Sequence, residues 1–140
     1  MLSENVKIVL AKAAQVAGTD EVLSDVIDTC GFEGCIFMTR FATANAGNYI
    51  KVKQDTAANG ATAADLAGTK VASGLSDEGC AIDINRPKER YLQLSATRTA
   101  SSALGEIWAI LYGPVKAPVV SALTGTLAIE AHVSPAEGTA

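Results

Sequence analysis

The chain has 140 residues, 49% of them hydrophobic but only 5% aromatic, with 15 acidic against 11 basic side chains and a formal charge of -4. That length suits one domain around one core, able to bury about two-thirds of its unfolded surface without metal or disulfide staples. The acidic balance argues against a general nucleic-acid binder, and the apolar content against a disordered chain.

With 25 Ala and 12 Thr among its residues, the chain predicts a core of small and β-branched side chains. The single histidine, His132, leaves no His-rich metal cluster, and a Ser-His-Asp or Cys-His site would depend on that one residue. No apolar run approaches the roughly 18 residues that span a bilayer. Glu4 precedes the first apolar stretch and Lys7 and Lys12 interrupt it, unlike a signal peptide, so a soluble protein made in the cytoplasm is expected. Cys30, Cys35 and Cys80 are an odd set, read as unpaired thiols, and Cys35 sits in an apolar run as a small hydrophobe.

Along the chain, residues 6–17 fit both helical and extended patterns but lack an N-cap box, and with Val22, Leu23, Val26 and Ile27 the extended reading is preferred. Cys35 to Phe41 forms a β-rich run behind Gly31 and Gly34. Tyr49 to Gln54 alternates with Ile50, Val52 and Gln54 on one face, and these two runs read as a half-buried antiparallel hairpin. Residues 55–79 read as a long loop with a short strand near Thr69–Ala72. Cys80–Ile84, Tyr91–Thr97 and Glu106–Tyr112 follow as strands, with a Ser/Thr/Ala turn before the last. Such spacing predicts a mainly β chain, an antiparallel β-sandwich or jelly-roll-like domain. Residues 1–117 form that domain. Residues 118–140 form an extension in which Leu127, Ile129, Ala131 and Val133 alternate as a strand would, predicting an arm that pairs with its own sheet or a neighbour's edge.

Candidate chemistry is sparse. Asp65–Thr69 has the Asx/Gly character of a cation or phosphate loop, yet lacks the spaced acids or the Gly-Lys-Ser/Thr those need, so a turn is expected. Asp83, Arg86, Lys88, Glu89 and Arg90 alternate in sign beside Pro87, which predicts mutual ion pairing at a surface and, with Arg86, Lys88 and Arg90, a contact for a protein partner. Trp108, between Ile107 and Ile110, reads as core or subunit contact. No catalytic set is present, so no enzyme, metal or cofactor is expected.

Four blocks carry a resemblance: Gly31–Phe37, Asp65–Thr69, Asp83–Leu92 with its Arg-Pro-Lys-Glu-Arg-Tyr core, and Ile110–Gly113. Over residues 31–118 the chain resembles small tailed-bacteriophage head decoration, or cement, proteins of HK97-like capsids. The resemblance implies a β-sandwich on the outer capsid surface, assembled as a homo-oligomer with a trimer favoured. Its partner would be the major capsid protein, whose subunits it bridges. Candidate interface residues are then Arg86, Lys88, Arg90, Trp108, Leu127, Ile129 and Val133. A head–tail connector or tail component, or a lectin-like glycan-binding jelly roll, are the alternative readings.

Overall fold

Alternation decides which side chains go inside. From Tyr91 to Arg98 the positions Leu92, Leu94 and Ala96 are fully buried, while Tyr91, Gln93 and Thr97 point outward. The computed structural model describes residues 2–119, 127–130, 132–133 and 137. After a 3-10 turn at Leu2–Glu4 its strands are β1 (Val6–Lys12), β2 (Gln15–Gly18), β3 (Val22–Leu23), β4 (Ile27–Asp28), β5 (Phe32–Arg40) and β6 (Asn48–Asp55). They continue with β7 (Ala64–Asp65), β8 (Val71–Ala72), β9 (Gly79–Asn85), β10 (Tyr91–Arg98), β11 (Ser102–Leu104) and β12 (Ile107–Pro114).

Two antiparallel sheets make the sandwich. The first has the order β1-β12-β5-β9; the second has β3-β10-β6-β7, with β4 also on β10 and β8 on β6; β2 and β11 form a small separate pair. The inner faces meet in one core. Cys35, Phe37, Phe41, Ile107, Ala109 and Leu111 from the first sheet's side pack against Ile50, Val52, Leu92, Leu94 and Ala96 of the second. The mainly β sandwich is as the sequence predicts, and residues 6–17 resolve as extended chain in β1 and β2.

Two expectations are corrected. The runs around 35–41 and 49–54 do not form a hairpin, because β5 pairs with β12 and β9 while β6 pairs with β10. The chain crosses between sheets at 41–47, with Phe41 still bridged to Leu104 beside the first sheet and Asn48 already opposite Arg98 in the second. The stretch read as a Ser/Thr/Ala turn contains β11, whose register with β2 shifts between Ser102 and Leu104. In the extension, Leu127–Glu130, His132 and Val133 belong to no ladder within the chain. Extended chain becomes a strand only when a neighbour takes its N–H and C=O groups, and none of the described strands does so there. Ala131 and the remainder of the extension beyond Val119 lie outside the described residues.

After β12 the chain stays attached: Val115 N–H donates to Gly31 O (2.9 Å) and Val119 N–H to Glu4 O (2.8 Å). Inside, Arg98 is only 5% exposed. Its Nε donates to Asp20 O (2.9 Å), and its Nη1 to Val16 O (2.8 Å) and Ser102 O (2.9 Å). Three carbonyls from separate segments thus take the guanidinium and staple the β2–β11 pair to the second sheet, a fork that lysine cannot reproduce.

Urea unfolding checks both features. Phe37→Ala, which empties a fully buried ring position, should cost about 3–5 kcal/mol. Arg98→Lys, which keeps the charge but breaks the fork, should cost roughly 1.5–3 kcal/mol. Unchanged stability in the second variant would show that the three carbonyl contacts do not hold the small sheet.

Candidate protein-contact surface

Side chains directly opposite one another in an antiparallel ladder share a face, so register fixes what each outer surface presents. On the first sheet one outer row is Ile8, Ile110, Ile36 and Asp83; the next is Leu10, Trp108, Met38 and Ala81. A third row, Val6, Tyr112, Gly34 and Asn85, closes one end. The middle of this face is therefore Ile8, Leu10, Ile36, Met38, Trp108 and Ile110, partly exposed, with Met38 at 44%. Beside Trp108 lies a notch of about 220 Å³ lined by Met38, Thr39, Gly105 and Glu106, with the Arg40–Asp77 ion pair at its rim.

The end row is fixed by a close approach. Tyr112 Oη donates to Asp83 Oδ1 (2.7 Å) and accepts from Asn85 Nδ2 (3.3 Å). Its ring crosses Gly34, where a Cβ would come within 2.3 Å of the hydroxyl, so only glycine leaves room. Partial burial, and then the hydrogen bond to the Asp83 carboxylate, raise the Tyr112 hydroxyl above its ordinary pKa.

The second sheet's outer face has the opposite character. It presents Tyr91, Gln93, Thr97, Tyr49, Lys51 and Lys53, with Ser95 buried against Glu21 Oε1 (2.5 Å). Lys51 pairs with Asp65 (2.7 Å), and Lys70 lies 4.2 Å from the Tyr49 ring centroid, occupying that aromatic face. The Asp65–Thr69 segment is a turn closed by Thr69 Oγ1 donating to Leu66 O (2.8 Å).

The sequence-predicted site residues fall in three places. Arg86, Lys88 and Arg90 come together around a cleft of about 410 Å³ with Thr29, Cys30 and Glu33. Their ion pairs are not within the cluster, contrary to expectation. Arg90 forks onto Asp28 (2.8 and 2.7 Å) and Arg86 lies 3.6 Å from Glu33, because the turn at 85–90 abuts the start of β5 and the end of β4. The Arg90 hydrogen bonds hold the Asp28 carboxyl below its usual range. Trp108 sits on the apolar face, far along the sheet from that cleft. Of the extension, Leu127 is half-buried, whereas Ile129 and Val133 are 47% and 82% exposed.

Ile8, Leu10, Ile36, Met38 and Ile110 were not singled out as site residues, since each reads as ordinary strand core. The signal was present in the runs Ile8–Ala11, Cys35–Met38 and Ile107–Leu111, which are apolar at consecutive positions. An antiparallel strand with one wet face alternates; a continuous run means that both faces are meant to be covered.

Among the described residues no three His, Cys, Asp or Glu side chains converge as metal ligands. Burial pushes the Cys35 thiol up to about 12 and also raises Cys80, while Cys30 is exposed at the cleft. No family model, curated protein or solved structure matches this chain.

Two measurements test this electrostatic picture. A thiol reagent at neutral pH should modify Cys30 alone in the folded protein, and all three cysteines after unfolding. Rapid native labelling of Cys35 would contradict its burial. A carboxyl with a depressed folded-state pKa stabilises above its unfolded value, near 4, and that stability is lost as pH falls through the folded value. Melting temperatures from pH 7 to 2 should therefore fall more shallowly for Arg90→Ala than for the wild type.

Proposed function

We propose that this chain is a non-enzymatic virion protein, a decoration or cement protein bound to the outside of a tailed-phage head and bridging its major capsid subunits. The observation that carries the reading is the apolar outer face of the first sheet, set against a polar outer face on the second. A sandwich bathed on both sides would alternate on both; this one keeps Trp108, Ile110, Ile36, Met38, Ile8 and Leu10 for another surface. The resemblance over residues 31–118 supplies the class of partner, a protein shell.

Two further features support it. With β3 and β4 counted as one strand, β7 and β8 as another, and the β2–β11 pair set aside, the strands divide between sheets in the two-Greek-key order of a jelly roll, an architecture common in viral capsid domains. The size of the patch also fits. Three strands about 4.8 Å apart and two outward rows about 6.8 Å apart give the six-residue patch roughly 200 Å². That is about a quarter of what each partner buries in a stable pairwise complex, near 800 Å². A contact of this size is weak alone and becomes firm when many copies engage a repeating lattice.

Cryo-electron microscopy of purified particles, with copy number from mass spectrometry, tests the proposal. Many copies on the outer shell are expected. Absence from the particle, or a few copies ringed at one vertex, would overturn the cement reading. On such particles Trp108→Ala should bind roughly 30-fold more weakly, the effect of losing a contact worth about 2 kcal/mol. Lys53→Glu on the polar face should leave occupancy unchanged.

A further inference from the structure

The first sheet ends in two unequal edges. β1 forms one, and Glu4, Asn5 and Ile8 there already have interaction partners. β9 forms the other, with seven residues laddered on one side only. The end strands of the second sheet, β3 and β7, are two residues each.

Hydrogen-bond phase shows which groups β9 leaves open. Arg86 N–H donates to Glu33 O (2.8 Å), so Glu33 and Arg86 are a hydrogen-bonded pair in the β5–β9 register. Counting back by twos, Ile84, Ile82 and Cys80 turn their backbone groups toward β5, and Asp83 and Ala81 turn theirs away. Both of these residues are exposed, and no backbone partner meets that side among the described residues. Long edges of this kind are normally blunted by charged side chains, lysine above all, by proline or by a bulge. β9 has one charge, Asp83, which accepts a hydrogen bond from Tyr112, and no lysine, proline or bulge from Gly79 to Asn85.

The chain also carries a segment with the complementary need. Leu127, Ile129 and Val133 stand at alternate positions with Ala128, Glu130 and His132 between them, a strand's period, yet they sit in no ladder and leave Ile129 and Val133 exposed. Within one chain both the edge and the segment are left unmade.

We infer that the segment bearing Leu127, Ile129 and Val133 in one copy adds as a strand to the β9 edge of a second copy. Backbone groups of Ala81 and Asp83 receive the incoming strand, and Leu127, Ile129 and Val133 lie on one face of the widened sheet. Donor and acceptor surfaces differ, so each copy gives one segment and receives one, which closes a ring or a swapped pair. This self-association uses the sheet edge and is independent of what the apolar face covers.

Size-exclusion chromatography with light scattering on the full chain tests it. The wild type should run as an oligomer that dissociates on dilution. Ala81→Pro removes only an N–H that faces the open side, where edge proline is tolerated, and should give a monomer with unchanged urea midpoint. Deleting residues 120–140 should do the same. Ile129→Glu with Val133→Glu, which alters no folded strand, keeps the test readable if Ala81→Pro fails to fold. An equal mixture of Ala81→Pro, which retains the segment, and the truncated chain, which retains the edge, should restore a one-to-one complex. A wild-type monomer at every concentration overturns the proposal, as does an oligomer that survives either change. An oligomer lost only in Trp108→Lys would assign self-association to the apolar face instead. A monomer that still decorates particles would overturn the strand exchange and leave the cement reading intact.

Discussion

Strand β12 is the member on which the first sheet depends. It is the last of the described strands in sequence, yet it lies inside the sheet, between β1 and β5, and β1 has no other neighbour among the described strands. Its inward residues Ile107, Ala109 and Leu111 complete the core, while its outward residues Trp108 and Ile110 form the middle of the exposed apolar face and Tyr112 closes its end. One short run of sequence therefore does two things at once, sealing the interior and forming an exposed apolar surface. It also makes the fold strongly non-local, because the first strand cannot be placed until the last has arrived, and such pairings form slowly.

The two outer faces divide the labour of the molecule. On the second sheet, charged stems cover the strands and pair locally, as in Lys51 with Asp65, which keeps that side compatible with water. On the first, charge is kept to the margins, with Asp83 on the β9 edge engaged by Tyr112 and Arg40 by Asp77. A partner meeting the middle of that face has little polar surface to desolvate, so the cost of docking is small even though the area is modest. The cleft around Arg90 is different in kind, since the Arg90 guanidinium fork is already spent on Asp28 and Arg86 lies 3.6 Å from Glu33.

Much of this was legible in the residues, and the failures have physical causes. Alternation in Tyr91–Thr97 and Tyr49–Gln54 gave strand and facing correctly, because period two is a local property. Pairing is not local. The runs at 35–41 and 49–54 are neighbours in sequence, and only the crossing between sheets at 41–47 sends them to different partners. The ion pairs were misread for the same reason: Asp28 lies 62 positions from Arg90, where no window on the charged cluster can find it. The apolar face was readable in principle from the unbroken runs of β1, β5 and β12, although a strand covered by a partner and one covered by its own chain have the same pattern. Leu127–Glu130, His132 and Val133 have a strand's pattern without a ladder, since a pattern specifies a preference and a ladder needs a neighbour.

The hydrogen bond from Val119 to Glu4 brings the exit of the domain beside its entrance. Topologically the domain is thus close to a closed circle of chain whose starting point is arbitrary. Splicing the segment after Val119 to the residues before β1 and reopening the circle in the surface loop at 56–63 would leave every ladder intact, since chain ends that meet at the surface are what circular permutation requires. For anything displayed by fusion, the same adjacency means that cargo at the amino terminus and the carboxy-terminal extension emerge from one corner and compete for the same space.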